Sequence, residues 1–322
     1  MAELFGVNLD DLVHEATGLA PPPLVEGRVV HIDADFLAYQ VSATPVGEDR
    51  SLEDMRRKHD LAVERIRLMA GAETAVLHLT PKQEDEELAK GGRYLAAIQK
   101  EYQGNRKNKE KPKMLHVMRN WMHEYRDAIM HYDIEADDGM TIAQYEAIKR
   151  GEGDLSIIAS ADKDLTMVPG LLINWDDYII TDTRESPTGD FGWIMLDTSK
   201  TTKKIRGRGT KFFWAQMLMG DTADNIQGLP KVYDPRFLPG KPKACGPVMA
   251  YDILMDVKSD KEAFELVRDL YEQCGEGQGF FHWKDGSPQE YGDVFMSEAQ
   301  LLWMRREPDI DDALNWLQET CL

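Results

Sequence analysis

Short apolar runs of strand length recur through the first half of the chain, separated by stretches with helical spacing. "GRVVHID" (27–33), "TAVLHLT" (74–80), "DLSIIAS" (154–160) and "GLLINW" (170–175) read as buried strands. Helices are expected over 52–70, over 113–130 and after 135, where Ile142, Ala143, Tyr145, Ala147 and Ile148 keep an amphipathic spacing. Strands alternating with helices predict the α/β class, with a mostly parallel central sheet flanked by helices. Beyond residue 205 the pattern is mainly helical, punctuated by Gly and Pro. The stretch 82–113 is polar and charged, and "PPP" (21–23) closes a leader expected at the surface. The pattern divides the chain into a leader (1–27), a core (28–204) interrupted by 82–113, a segment 205–260 and a helical extension 261–322.

Composition changes this picture little. At 322 residues, 42% apolar and 30% charged, the chain can bury a full core and is globular rather than disordered. No apolar run approaches the roughly 20 residues needed to span a bilayer, and the acidic N-terminus does not read as a signal peptide. Cys245, Cys274 and Cys321 form no CxxC pair, which argues against a cysteine-built zinc site and for a reducing cytoplasm.

Charge changes it more. The net charge of −19 points away from nucleic acid overall. The basic residues are clustered, however, and a local basic surface can steer a polyanion onto an acidic protein. "IQKEYQGNRKNKEKPK" (98–113) carries six Lys and Arg, with Arg93, Tyr94 and Tyr102 close by. "SKTTKKIRGRGTK" (199–211) carries six more and no acid. Such residues bind phosphates irrespective of sequence, and aromatics stack on unpaired bases.

The acids are also clustered. In "HYDIEADDGMTIAQYEAIKR" (131–150), Glu135, Asp137 and Asp138 crowd a helix start, where acids interact favourably with the helix dipole. "SADKDL" (160–165) puts Asp162 and Asp164 at a strand end, and "MGDTADNIQGLP" (219–230) spaces Asp221 and Asp224 as neighbours on a helical face. Each group alone reads as a cap or a solvated face. Together with Asp33, which closes the first strand, they make a converging set if the strands are parallel, because ligands sit outside the carboxyl ends of such sheets. Converging carboxylates repel and raise one another's pKa values unless a hard divalent cation joins them. Two Mg²⁺ ions there would clamp a phosphodiester for in-line attack.

These motifs, in this order, resemble the flap-endonuclease-like 5′-nuclease superfamily, which includes the 5′→3′ exonuclease domain of bacterial DNA polymerase I and the stand-alone 5′→3′ exonucleases of bacteriophages. The matching pieces are Asp33, "YQGNR" (102–106), "EADD" (135–138), "SADKDL" (160–165) and "GDTADNIQGLP" (220–230). The resemblance implies one metal group at Asp33, Glu135 and Asp137, and a second at Asp162, Asp164, Asp221 and Asp224. Asp138 would bridge or stand behind them. It implies two Mg²⁺, replaceable by Mn²⁺, and a helical arch over 82–113 from which Arg106 and Arg93 reach the scissile phosphate. Duplex DNA would be held by Tyr102, Arg106, Lys107, Lys109 and Lys231, with "GLPKV" (228–232) and "ACGPVMAYDIL" (244–254) forming a helix-hairpin grip that also takes K⁺. The implied protein is a phage-type monomer in the host cytoplasm, acting on DNA ends, nicks or flaps. RNA–DNA hybrids and replication proteins would be further partners.

The chain departs from the family at three places. Gln103 stands where a Lys is usual, Thr80 where the second strand usually ends in Asp, and Val248 in the hairpin where Lys is common. Gln103 and Thr80 favour a rival, a DNA-end-binding protein that has lost turnover. A haloacid-dehalogenase-type phosphatase is a second rival, with Asp33 in "HIDADFL" as nucleophile and Asp35 as general acid, but it leaves "EADD" and both basic clusters unexplained. A PIN-type ribonuclease would be shorter and would lack the hairpin segment.

Overall fold

The computed structural model describes residues 3–4, 7–8, 20–43, 50–81, 89–107, 109–185, 189–237 and 240–322. Most of the acidic leader and the start of the polar stretch, 82–88, lie outside the described residues. The chain forms two compact units: 1–83, 110–165 and 170–182 make the first, and 84–109, 166–169 and 183–322 the second.

The first unit is built on a six-stranded sheet. Its strands are β1 (Val25–Asp33), β2 (Ala72–Leu79), β3 (Ile129–Met130), β4 (Ser156–Ala159), β5 (Leu171–Asn174) and β6 (Ile179–Asp182), in the order β3-β2-β1-β4-β5-β6. The pairings β1–β2, β1–β4, β2–β3 and β4–β5 are parallel, and only β6 runs antiparallel, on β5. The expected mostly parallel α/β sheet is therefore present. β3 and β6 were not legible, being a two-residue strand and a polar one with the pattern "IITD".

Helices α1 (Ala34–Ser42), α2 (Leu52–Met69), α3 (Leu115–Tyr125) and α4 (Ala136–Lys149) flank the sheet. Val30, Ile32, Leu77, Leu79, Ile157 and Ile173 of the strands are buried with Leu37, Met55, Ile66, Met118 and Met122 of the helices. Each such side chain contributes about 1.5–3 kcal/mol of hydrophobic stabilisation. The helix expected over 113–130 is shorter. It stops at Tyr125, because Asp127 takes a positive φ of 50° and the chain then enters β3.

The second unit is mainly helical, as expected beyond 205. It contains a two-stranded ribbon, β7 (Trp193–Asp197) with β8 (Lys204–Arg208), and helices α5 (Thr210–Met219), α6 (Pro247–Leu254), α7 (Asp260–Gln278), α8 (Tyr291–Leu302) and α9 (Asp312–Cys321). α5 is apolar all round, with Phe212, Phe213, Trp214, Met217 and Leu218 buried, and so lies at the centre of this unit. Trp303 and Trp316 stack beside it at 4.2 Å, and Trp214 donates to Asp260 at 2.8 Å. Cys245, Cys274 and Cys321 are free and buried. The segment expected as a helical arch contains, among the described residues, one helical turn at Arg93–Ala96 and 3-10 turns at Ala89–Gly92 and Gly104–Arg106. Positive φ at Gly91, Gly92 and Gln103 interrupts any longer helix there.

Candidate metal centre

In the first unit the strand order turns around at β1. The strands β2 and β3 lie on one side of it and β4 and β5 on the other, so β1 and β4 flank the switch point where open parallel sheets bind ligands. Asp33 closes β1 at this point and caps α1, accepting the amide of Phe36 at 3.0 Å. Its other oxygen accepts from the Ser160 hydroxyl at 3.2 Å, just past β4. Ser160 in turn accepts the amide of Asp162 at 3.0 Å, and Asp162 accepts that of Asp164 at 2.9 Å. The "SAD" turn is thereby tied to Asp33.

The first turn of α4 supplies the other acids. Glu135 is its N-cap, and Asp138, fully buried, accepts the Glu135 amide at 3.3 Å to close a capping box. Asp138 therefore holds the helix start. Thr80, directly after β2, accepts the Ala136 amide through its hydroxyl at 2.9 Å, which fixes α4 to the sheet edge. A methyl group at Gly139 would come within 2.3 Å of the His131 ring, so glycine lets the helix sit on that imidazole.

The electrostatics set these acids against one another. Burial pushes the Asp33 carboxyl, 8% exposed, up to about 7, with Asp35 and Asp162 adding to the rise. Burial likewise raises Asp137 well above the carboxylate range, and Asp33, Asp162, Glu135 and Asp138 push it further. Asp33, Glu135, Asp138 and Asp162 thus all act on Asp137 within one unit. The charges acting most strongly on Asp33 and Asp137 are other carboxylates. A cation beside such a group would favour its charged form. The donors are all oxygens, which suits a hard ion of the Mg²⁺ or Mn²⁺ kind. Asp164, also buried, pairs with Lys163 at 2.9 Å.

Sequence reasoning missed two features at this edge, the arginine partner of Asp35 and a row of histidines. Asp35 binds the Arg119 guanidinium of α3 through one oxygen and accepts the Thr80 amide at 3.1 Å through the other. Its neighbourhood to Asp33 was visible in "DADF", its arginine partner was not. His31, His78 and His131 form a hydrogen-bonded row, at 3.0 and 2.9 Å, beneath α4. Burial lowers His31 to about 4 and His78 well below its usual range, so this row is neutral. Three histidines on separate elements leave no spacing signal.

In the second unit, Asp221 and Asp224 do not lie on a helical face as their spacing implied. α5 ends at Met219, Gly220 turns the chain with φ +70°, and Asp221 pairs with Ile226 across a tight loop. A Cβ on Gly228 would fall 2.3 Å from the Gly220 amide, which explains both glycines of "GDTADNIQG". Asp221 and Asp224 still present oxygens within 4.8 Å of one another. The basic segment docks on this loop. Gln103 donates to the Asp224 carboxylate at 3.0 Å, Arg106 pairs with Asp224, and Asn105 donates to the Thr222 carbonyl at 2.7 Å.

Two residues expected at DNA are core residues instead. Arg93 is 1% exposed and donates to the Trp303 carbonyl at 2.9 Å, so its guanidinium serves the fold and not a phosphate. Tyr102 is 3% exposed and packs edge-on against Tyr94 at 5.6 Å, which leaves no face for a base. Arg106, with 44% of its side chain exposed, and Lys107, Lys109 and Lys231 are at the surface. Lys107 pairs there with Glu101.

Fold and edge together define an α/β protein with a cluster of buried carboxylates at the switch point of its sheet. No protein-family model and no curated protein matches the chain. Among solved structures it is similar to the T5 D15 protein co-crystallised with metal ions, with 14% identity, 91% of each chain covered and a TM-score of 0.49. It is similar also to the T5 5′-exonuclease with bound zinc, with 17% identity, 86% of this chain and 87% of that one covered and a TM-score of 0.47. A third is a bacteriophage T5 D15 flap endonuclease in a pseudo-enzyme–product complex with DNA and metal ions, with 13% identity, 85% and 99% covered and a TM-score of 0.45.

Proposed function

We propose that the protein is a Mg²⁺-dependent, structure-specific 5′ nuclease that hydrolyses DNA phosphodiesters at ends, nicks or flaps and leaves 5′-phosphorylated products. The observation that carries this reading is the set of buried, mutually repelling carboxylates at the switch point. Asp33, Glu135 and Asp137 would hold one metal, and Asp162 and Asp164 would serve the second, with Asp138 behind them. Bound there, two Mg²⁺ ions would supply an activated water and offset charge on the scissile phosphate. The chain's own residues orient these ligands. Ser160 and the Phe36 amide fix Asp33, and Thr80 fixes the helix that carries Asp137.

Duplex would be held by Arg106, Lys107, Lys109 and Lys231, by the Gly228–Val232 loop and by α6, with K⁺ at that hairpin. Backbone contacts of this kind give little sequence preference. A phosphatase using Asp35 as general acid is disfavoured, since both Asp35 oxygens are engaged, by Arg119 and by the Thr80 amide. The end-binding rival is favoured by one observation: Gln103, uncharged, is committed to Asp224.

The test compares wild type with an Asp162→Asn, Asp164→Asn double variant on a 5′-labelled nicked duplex, a 5′ flap and a single strand, in Mg²⁺ or EDTA. Label released from duplex or flap only by wild type and only with Mg²⁺ supports the nuclease. Binding without cutting by both proteins replaces it with the end-binding protein.

A further inference from the structure

The extension 261–322 carries no sequence motif, yet in the second unit it reaches the residues proposed to hold duplex. α8 places Glu298, 1% exposed, against the Gly228 loop. Glu298 accepts the Gly228 amide at 2.9 Å through one oxygen and the Gln99 side-chain amide at 2.8 Å through the other. Gln99 also donates to the Gly228 carbonyl at 2.8 Å, which closes a ring of three hydrogen bonds. The neighbouring Ser297 hydroxyl accepts the Ile98 amide at 3.2 Å and donates to the Ala96 carbonyl at 2.6 Å. One turn of α8 therefore grips the base of the basic segment and the first residue of "GLPKV" together.

We propose that Glu298 is a positioning residue for duplex binding, holding the Gly228–Val232 loop and the basic segment that carries Arg106 in one register. The inference rests on the nuclease reading above. Burial makes a carboxylate expensive at this place, and pushes Glu298 up to about 7. An apolar side chain would fill the volume at lower cost but would leave the Gly228 amide without an acceptor. The polarity of the ring is also fixed. Both contacts of Glu298 require an acceptor, and an ionised carboxylate supplies two, where a carboxamide supplies one. Glutamine at 298 would set its NH₂ against either the Gly228 amide or the Gln99 amide. Turning Gln99 over would then set its oxygen against the Gly228 carbonyl.

The test uses a labelled nicked duplex, bound in Ca²⁺ to bar cleavage and then cut in Mg²⁺, with the full chain. Glu298→Gln is expected to raise Kd and KM at least about tenfold, the scale of one buried donor left unpaired, with kcat changed less than about threefold. Gln99→Leu, which takes the donor from the Gly228 carbonyl while Glu298 keeps the Gly228 amide, is expected to act in the same direction. It serves as the readout if Glu298→Gln does not fold. Wild-type Kd in either folded variant overturns the inference, as does a fall in kcat with KM unchanged. Wild-type protein that binds no duplex at all overturns the nuclease reading as well, which separates the two failures.

Discussion

The two acidic loops of this protein look alike in sequence and differ in what surrounds them. At the sheet edge of the first unit, Asp33 and Asp137 are raised by burial and by other carboxylates. On the loop of the second unit, Asp224 is paired with Arg106 and accepts from Gln103. In the first set the charges that act most strongly come from other carboxylates. The second set already uses the chain's own cation and, in doing so, docks the basic segment. An acidic motif thus reports a charge requirement, and its partners decide whether metal or arginine meets it.

The largest effect that could break this comparison is at Asp137. Asp137→Asn should lower cleavage of a nicked duplex at least about 10³-fold, the upper range for removing one group that stabilises transition-state charge. In metal-free protein at a pH where Asp137 is ionised, the same substitution should raise thermal stability, because it removes a buried repelling charge. Asp224→Asn should do the reverse to stability by breaking its pair with Arg106. Thermal unfolding of both variants in EDTA checks the contrast, and equal shifts would erase it.

The next effect is on pH. Asp33 and Asp137 have raised pKa values in the folded state, so the folded protein holds protons that the unfolded chain has released. Their contribution is fully present below the ordinary carboxylate range near pH 4. For Asp33 it is lost as pH rises through about 7. Denaturant unfolding in EDTA should therefore show stability falling between about pH 4 and 8, by on the order of a few kcal/mol. Excess Mg²⁺ at pH 8 should restore it.

The smallest effect is at the surface. Lys109→Ala should weaken duplex binding by a similar factor across sequences and reduce the magnitude of the salt slope by about one. Binding measured at several salt concentrations decides this, and an unchanged slope removes Lys109 from the interface.

Most of the first unit was legible because its strands are continuous apolar runs, and β1 and β4 lead directly into acids. β3 and β6 were not, since a two-residue strand and a polar edge strand carry no period. At the site, the capping pattern of "EADD" and the strand-end acids could be read directly. Arg93 and Tyr102 misled because a basic or aromatic residue in a polar stretch looks exposed, and only the packing of Trp303 and Tyr94 shows otherwise. Asp35–Arg119, the histidine row and Glu298 were invisible because each joins residues far apart in the chain. The turn at Gly220–Gly228 was readable as a motif but not as a shape, since the glycines serve a close backbone approach rather than a helix.

The central claim is that the sheet edge of the first unit requires a divalent cation, and calorimetric titration of Mn²⁺ into metal-free protein tests it most directly. Wild type should bind with measurable heat and release protons near pH 7, and an Asp33→Asn, Asp137→Asn variant that remains folded should lose that binding. Mn²⁺ binding of equal strength and stoichiometry in the two proteins would contradict the account.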